Sequence, residues 1–377
     1  MNLEELILVT GGSVHSSRLP SCVAREQYRI LKSWLQYLQQ FVDGVSKGAK
    51  GPKVLLHFTL SPSLVCRTRT LDDGSVAVLL PLGLPVRVRT FARLLLRYFG
   101  QQSDIRFAAS LLDDYPESNW RIAPSLVPLF GELADESEHW RLLAILDSQI
   151  ELKPELEAKV NDLVWVASCY LTWHEVAHAI RGHFSIVARA RSNSRTVRSI
   201  NEADMRRALE IDADASATTL MLFTTFEKMR VDNVENEVDS AFFWIGYAAT
   251  LVFGLYDTRR KALSLYSQAF YPHPIVRHGL FVDFATAHIA ERWPKLGSVW
   301  EKENIVGWKE CVAALRHLDV DVFTGKFGGN TKKPREIAKF VPVTAMTYNV
   351  FDSSFVSEGK HRERALASEV LPQLGLG

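Results

Sequence analysis

The sequence predicts an α+β fold, predominantly helical, in which a mixed N-terminal unit precedes a helical domain. Three observations lead there. Two short apolar runs, KVLLHFTL from Lys53 and SVAVLLPLGL from Ser75, have strand length and composition, and LDDGS between them carries a turn signal at Asp73-Gly74. From Pro154 onward, helical patterns run over segments far longer than any strand. Hydrophobic residues make up 47% of the 377 and charged residues 23%, enough apolar material for a substantial core.

Taken in order, the first helix is expected from Cys22 to about Val45, where Tyr28, Leu31, Trp34, Leu35, Leu38 and Phe41 recur at three- and four-residue steps. GAKGP at Gly48–Pro52 breaks that pattern before the two strands. A second helix covers Val88–Phe99. Loops are expected at Asp113–Asn119 and Gly131–Glu138. The segment from Pro154 to His183 reads as one long helix, with Pro154 in the first turn, Glu155 and Glu157 at the positive end of the dipole, and Gly182 as the stop. A basic, serine-rich connection from Ala188 to Ile200 leads to a helix over Glu202–Met229. The run Ala241–Tyr256 follows as an apolar helix, and it falls short of the ~20 residues that span a bilayer, so it reads as a buried core helix with no membrane span. Beyond Pro294, helix mixes with the loop Gly325–Pro334. The domain division is 1–150, an α+β unit; 151–293, the helical domain; and 294–377, a C-terminal extension.

The formal net charge of +1 gives no argument for nucleic acid or for an acidic partner of the whole chain. Cys22, Cys66, Cys169 and Cys311 are far apart and form no CxxC pair, which argues against a disulfide scaffold and for reduced thiols in a cytoplasmic compartment. Glu4 and Glu5 stand where a signal peptide would carry positive charge.

Chemistry enters with TWHEVAHAI. His174, Glu175 and His178 form HExxH, and residues four apart on a helix share a face. Two imidazoles at that spacing can reach one zinc ion at about 2.0–2.1 Å, while Glu175, beside the first ligand, can polarise a zinc-bound water as general base. The uncharged neighbours Thr172, Val176, Ala177, Ala179 and Ile180 place the motif on a helix that can be buried.

A catalytic zinc site needs a third protein ligand and an open fourth position. His183 is one candidate, but on a continuous helix it lies about half a turn from His174, so a surface or capping role is expected. RRALEIDADASATT supplies a better one. Glu210 and Asp214 share a helix face, whereas Asp212 points away by about 200°. Glu210 can complete a His2Glu site, and Asp214 can accept a hydrogen bond from the second nitrogen of a ligating histidine. The alternative is an ordinary acidic helix face.

HExxH followed some thirty residues later by ExxxD resembles the gluzincin metallopeptidases, over about residues 165 to 280. LEIDADASA is most similar to the ExEAD-type second motif of the membrane peptidases that process prenylated or heat-damaged proteins, although Asp212 replaces its second glutamate and clear membrane spans are lacking. A soluble relative of the phage-exclusion Lit type fits the length equally well. The resemblance implies a zincin-like catalytic domain with Zn2+ held by His174, His178 and Glu210, Glu175 as general base, and Asp214 supporting the ligands from behind. Many gluzincins also carry an HP-plus-Arg segment downstream. Here that segment is YPHPIVRHG, making His273 the first choice for transition-state stabilisation, with Arg277 and Tyr271 next. A helix start with Arg277 in a structural salt bridge is the alternative.

The expected function is therefore hydrolysis of peptide bonds in an intracellular protein substrate by a Glu-activated, zinc-bound water. No GxMEN signature occurs, which favours an endopeptidase over an aminopeptidase. The competing expectation is a non-catalytic zinc-binding sensor or regulatory module. Arg189, Arg191, Arg195, Arg198, Arg206 and Arg207 form either a solvated loop or a recognition loop for an acidic protein segment, and no interleaved aromatics support nucleic acid.

Overall fold

Why the site sits where it does follows from one helix that is apolar on every side. In the computed structural model, residues 1–15, 17, 19–100, 129, 133, 135–192, 202–231, 238–256 and 274–317 are described. The elements before that helix are α1 (Leu3–Val9), α2 (Arg25–Gly48), β1 (Val54–Thr59), β2 (Arg67–Thr70), β3 (Val76–Pro81), α3 (Gly83–Gly100) and α4 (Glu136–Ser148). The helix itself is α5 (Pro154–Ile180), and α6 (His183–Ser192), α7 (Glu202–Val231), α8 (Val238–Tyr256), α9 (Pro274–Arg292) and α10 (Gly297–His317) follow it. The mostly helical α+β class expected from the sequence is the class observed.

The sheet has the order β1-β3-β2. Strands β1 and β3 pair in parallel from Val54↔Val76 to Thr59↔Pro81, while β2 pairs antiparallel with β3 from Arg67↔Leu79 to Thr70↔Val76. Central β3 is buried at every position, as a strand covered on both faces must be. Val76, Val78 and Leu80 join the main core; Ala77 and Leu79 pack with Leu6 and Ile7 of α1 on the other face. The Asp73-Gly74 turn joins β2 to β3. Gly74 takes φ +80°, and the Asp73 carboxylate accepts from the Ser75 amide at 2.9 Å.

Several elements differ from the sequence expectation, among them the unexpected α1 and the start of α3 at Gly83 in place of Val88. Strand β2 (RTRT) was not anticipated, because it holds no apolar residue and borrows its buried face from Thr68 alone. The expected loop Gly131–Glu138 ends in a helix start: the Asp135 side chain accepts from the Ser137 and Glu138 amides and caps α4. The basic connection begins as helix α6, so only its later part, 193–200, lies outside the described residues, as do the expected loops 113–119 and 325–334.

Helix α5 is buried at nearly all positions from Val160 to Ile180, which makes it a central core helix and not an amphipathic one. Helices α3, α7, α8 and sheet strands pack around it. Arg93 of α3 binds Glu157 of α5 at 2.7 Å and Asp147 of α4 at 2.8 Å, tying the three together. The main core runs without interruption from Val23 to Leu315. Helix α8, 19 residues with mean hydropathy 1.5, is long and apolar enough to cross a membrane, and 67% of that window is buried within the protein. None of the four cysteines is paired.

Candidate metal centre

Trp173 and His174 lie on neighbouring faces of α5. The Trp173 indole donates to Thr224 Oγ1 of α7 at 2.9 Å, which fixes the two helices in register. One turn of α5 then presents His174 and His178 to one turn of α7, where Glu210 waits. His174 Nε2 lies 3.2 Å from His178 Nε2 and 3.2 Å from Glu210 Oε2, and His178 Nε2 lies 3.6 Å from Glu210 Oε1. A tetrahedral site with metal bonds of about 2.0–2.1 Å has ligand–ligand edges of roughly 3.3 Å; the two imidazole nitrogens stand close to that spacing, and one ligand atom from each of the three residues lies within 4.8 Å of the others. Glu210 Oε2 is buried, and its close polar neighbour among the described residues is His174 Nε2 at 3.2 Å, which can donate to it only while that ring is protonated. A buried carboxylate oxygen without a donor is costly unless a cation takes that place. His174, His178 and Glu210 thus form a group that could hold a metal ion.

The electrostatics agree. Burial alone would push the Glu210 carboxyl up; the two imidazoles beside it outweigh that and hold it well below its ordinary value. Burial likewise pushes His174 down, yet hydrogen bonds to Asp214 and Glu210 carry it up to about 9.

Behind His174 stands Asp214, fully buried, with Oδ1 2.9 Å from His174 Nδ1. Burial raises this carboxyl, but the Arg277 guanidinium and His174 bring it down to about 2. Arg277, at the start of α9, grips both Asp214 oxygens, Nε to Oδ2 at 2.8 Å and Nη2 to Oδ1 at 2.7 Å. Tyr170, one turn before His174, donates its hydroxyl to Oδ1 at 2.7 Å. Of the two roles open to Arg277, the structural salt bridge is the one seen: its guanidinium is directed at Asp214, not at the cleft where an oxyanion would form. Tyr271 and His273 lie outside the described residues.

His183 departs from expectation. It is buried, not a surface residue, and the reason is the helix break. Helix α5 ends at Ile180; Gly182 takes φ +73°, and α6 starts afresh at His183. The turn swings His183 back so that its Nδ1 lies 2.9 Å from His178 Nδ1. Its Nε2 lies 2.8 Å from Asp212 Oδ2, and Asp212 is also paired with Arg181. Asp212 does face away from Glu210, and this second cluster is what it faces.

Glu175, one residue from His174 and so about 100° round the helix, is not among the metal-binding group. Its Oε2 accepts a short 2.5 Å hydrogen bond from Thr68 of β2. Both residues line an open cleft of about 550 Å³ that also exposes His174, His178 and Glu210. The chain matches no family model, no curated protein and no solved structure.

Proposed function

We propose that this protein is a zinc-dependent peptidase of zincin-like, gluzincin type, cutting an extended segment of a protein substrate. The observation that carries the proposal is the clustering of His174, His178 and Glu210 in the floor of a cleft, with a second carboxylate, Glu175, beside them and not among them. A structural zinc is usually closed by four protein ligands, whereas a catalytic one keeps a position open.

Zinc bound there would polarise a carbonyl and lower the pKa of a bound water towards ~7. The residues of this chain supply the rest. Glu175 takes a proton from water in the cleft and passes it to the leaving nitrogen. Thr68 fixes the carboxylate that does so, by holding one of its oxygens. Asp214 keeps the His174 proton on Nδ1 and turns Nε2 towards the site. Strand β2 lies at the edge of the sheet beside the cleft, and an edge strand offers backbone donors and acceptors to an extended peptide.

The test is metal content and turnover of three proteins: wild type, Glu210→Ala and Glu175→Gln. The expected result is about one zinc per wild-type chain, marked loss in Glu210→Ala, and full zinc but a fall in turnover of about a hundredfold or more in Glu175→Gln. A Glu175→Gln protein with unchanged function would leave a non-catalytic zinc module in place of the enzyme. Absence of zinc from the reconstituted wild type would remove the proposal altogether.

A further inference from the structure

The walls of the cleft carry a charge pattern that the metal centre does not use. Among the described residues, Glu175 and Glu210 are the carboxylates that line it, and both belong to the centre itself. Against them stand Arg67 and Arg69 on β2. With a divalent ion bound, the two carboxylates would be balanced, and Arg67 and Arg69 would leave the described lining of the cleft positive. Arg67 and Arg69 are exposed. Arg67 has no ion-pair partner among the described residues, and Arg69 donates only to the carbonyl of its neighbour Thr68, at 3.2 Å.

The strand register gives this charge a spacing. Arg67 and Arg69 sit opposite Leu79 and Ala77, on the α1 face of the sheet; Thr68 sits opposite Val78, on the face towards α5. Side chains directly across an antiparallel pair share a face. A peptide laid antiparallel along the outer edge of β2 therefore sets two alternate residues beside Arg67 and Arg69. The residue between them, across from Thr68, is directed towards Glu175 and the metal ligands. Val65, Phe184, Val187 and Leu209 supply apolar wall on either side, with Val65 57% and Phe184 38% exposed.

We infer that the cleft selects an extended acidic peptide segment, an apolar residue flanked on both sides by carboxylates, with Arg67 and Arg69 as the specificity-determining residues. The inference rests on the peptidase reading of the cleft. A nucleic acid matches the charge but not the rest: the described lining has one aromatic side chain outside the histidines, Phe184, and single-stranded binding depends on successive stacking platforms. The alternating N–H and C=O groups of a strand edge complement a peptide backbone and not a phosphodiester one.

The experiment uses the full-length chain carrying Glu175→Gln, loaded with zinc, so that binding is read without cleavage. Fluorescein-labelled peptides of one length, with Glu-Leu-Glu, Gln-Leu-Gln or Lys-Leu-Lys at the centre, are titrated by anisotropy at low and at physiological salt. The acidic peptide is expected to bind roughly tenfold tighter than the glutamine peptide at low salt, with the gap narrowing as salt screens it. Arg67→Gln and Arg69→Gln should each close the gap roughly threefold while zinc content stays unchanged. Equal affinities, tighter binding of the lysine peptide, or displacement by a single-stranded oligonucleotide at lower concentration than by the acidic peptide would each overturn the inference. Wild-type cleavage of the same peptides judges the activity separately. Acidic peptide bound but never cut would sink the peptidase and leave the selectivity standing; all three peptides bound and cut alike would do the reverse.

Discussion

The two histidines of the candidate metal centre are supported from behind in different ways. His174 meets a carboxylate directly: Asp214 at 2.9 Å, fully buried and gripped by Arg277 and Tyr170. On its Nδ1 side, His178 reaches a carboxylate through a second imidazole, His183, which passes the contact on to Asp212 and Arg181. Hydrogen-bond logic sets the tautomers in both arms. With a metal bound, each ring would donate from Nδ1 and turn an Nε2 lone pair to it; His183 would then accept at Nδ1 and donate from Nε2 to Asp212. What differs is charge. Burial pushes His183 down to about 4 despite its bond to Asp212, so this arm reaches His178 through a neutral ring. The other arm puts a full negative charge on its ligand. One acidic stretch of α7 serves both arms, because Asp214 is one turn from Glu210 while Asp212 faces the opposite way.

If the direct arm carries more of the metal affinity, Asp214→Ala is the most damaging single change outside the ligands. It strips His174 of its acceptor and leaves Arg277 buried without its carboxylate. Zinc affinity, measured by chelator competition, is expected to fall about a hundredfold. The metal-free protein should lose roughly 3–5 kcal/mol of stability in urea denaturation, the cost of breaking a buried pair from one side. A smaller loss of zinc affinity than that of Asp212→Ala would invert the comparison.

The arms also differ in protons. With His174 raised to about 9, the ring of the metal-free protein holds a proton at pH 7 that zinc must displace. The sign follows: below the raised pKa, acid competes with metal, and above it the affinity levels off. Affinity should therefore rise roughly a hundredfold between pH 6 and pH 8. Calorimetry in two buffers of different ionisation enthalpy should show about one proton released from this ring at pH 7. Asp214→Ala removes a main raising interaction while burial continues to push the ring down, so its release at pH 7 should approach zero. An unchanged release would place the proton elsewhere.

The indirect arm is probed by His183→Leu, which leaves the His178 Nδ1–H without an acceptor. Because the lost partner is neutral, a drop of only about tenfold in zinc affinity is expected, at the lower end for groups that support metal ligands. His183→Gln should restore most of it, since its amide oxygen can accept from His178 while its NH2 donates to Asp212. The d–d spectrum of the cobalt-substituted protein should shift in the Leu variant and return in the Gln variant. Failure of Gln to rescue would reduce His183 to a packing residue.

The contrast also separates what local sequence encodes from what it does not. Helical period alone placed His174 with His178, and Glu210 with Asp214, because those relations depend only on 3.6 residues per turn. The start of α5 at Pro154 was legible for the same local reason. His183 was misplaced because its position depends on a single left-handed residue, Gly182, which ends one helix and starts another. Tyr170 and Thr68 left no trace, since their partners lie 44 and 107 residues away and meet them only through packing. Strand β2 was missed because RTRT carries no hydrophobic alternation; its pairing is dictated by β3, and the parallel alignment of β1 with β3 has no short-range signal at all.

Thr68 gives the smallest expected effect and the cleanest one. Its hydroxyl donates to the base, Glu175, and, among the described residues, makes no hydrogen bond to either arm. Thr68→Val keeps the β-branched shape that suits a strand and removes the hydroxyl alone. Zinc affinity should be unchanged, because Glu175 is outside the metal-binding group. If the hydroxyl fixes the base, kcat should fall roughly three- to tenfold, the worth of one ordinary hydrogen bond, with KM unaltered. A change in KM with kcat constant would instead assign Thr68 to the groove that receives the peptide. A change in zinc affinity would mean that the base and the two arms are coupled, and that the division between support of the metal and support of the base does not hold.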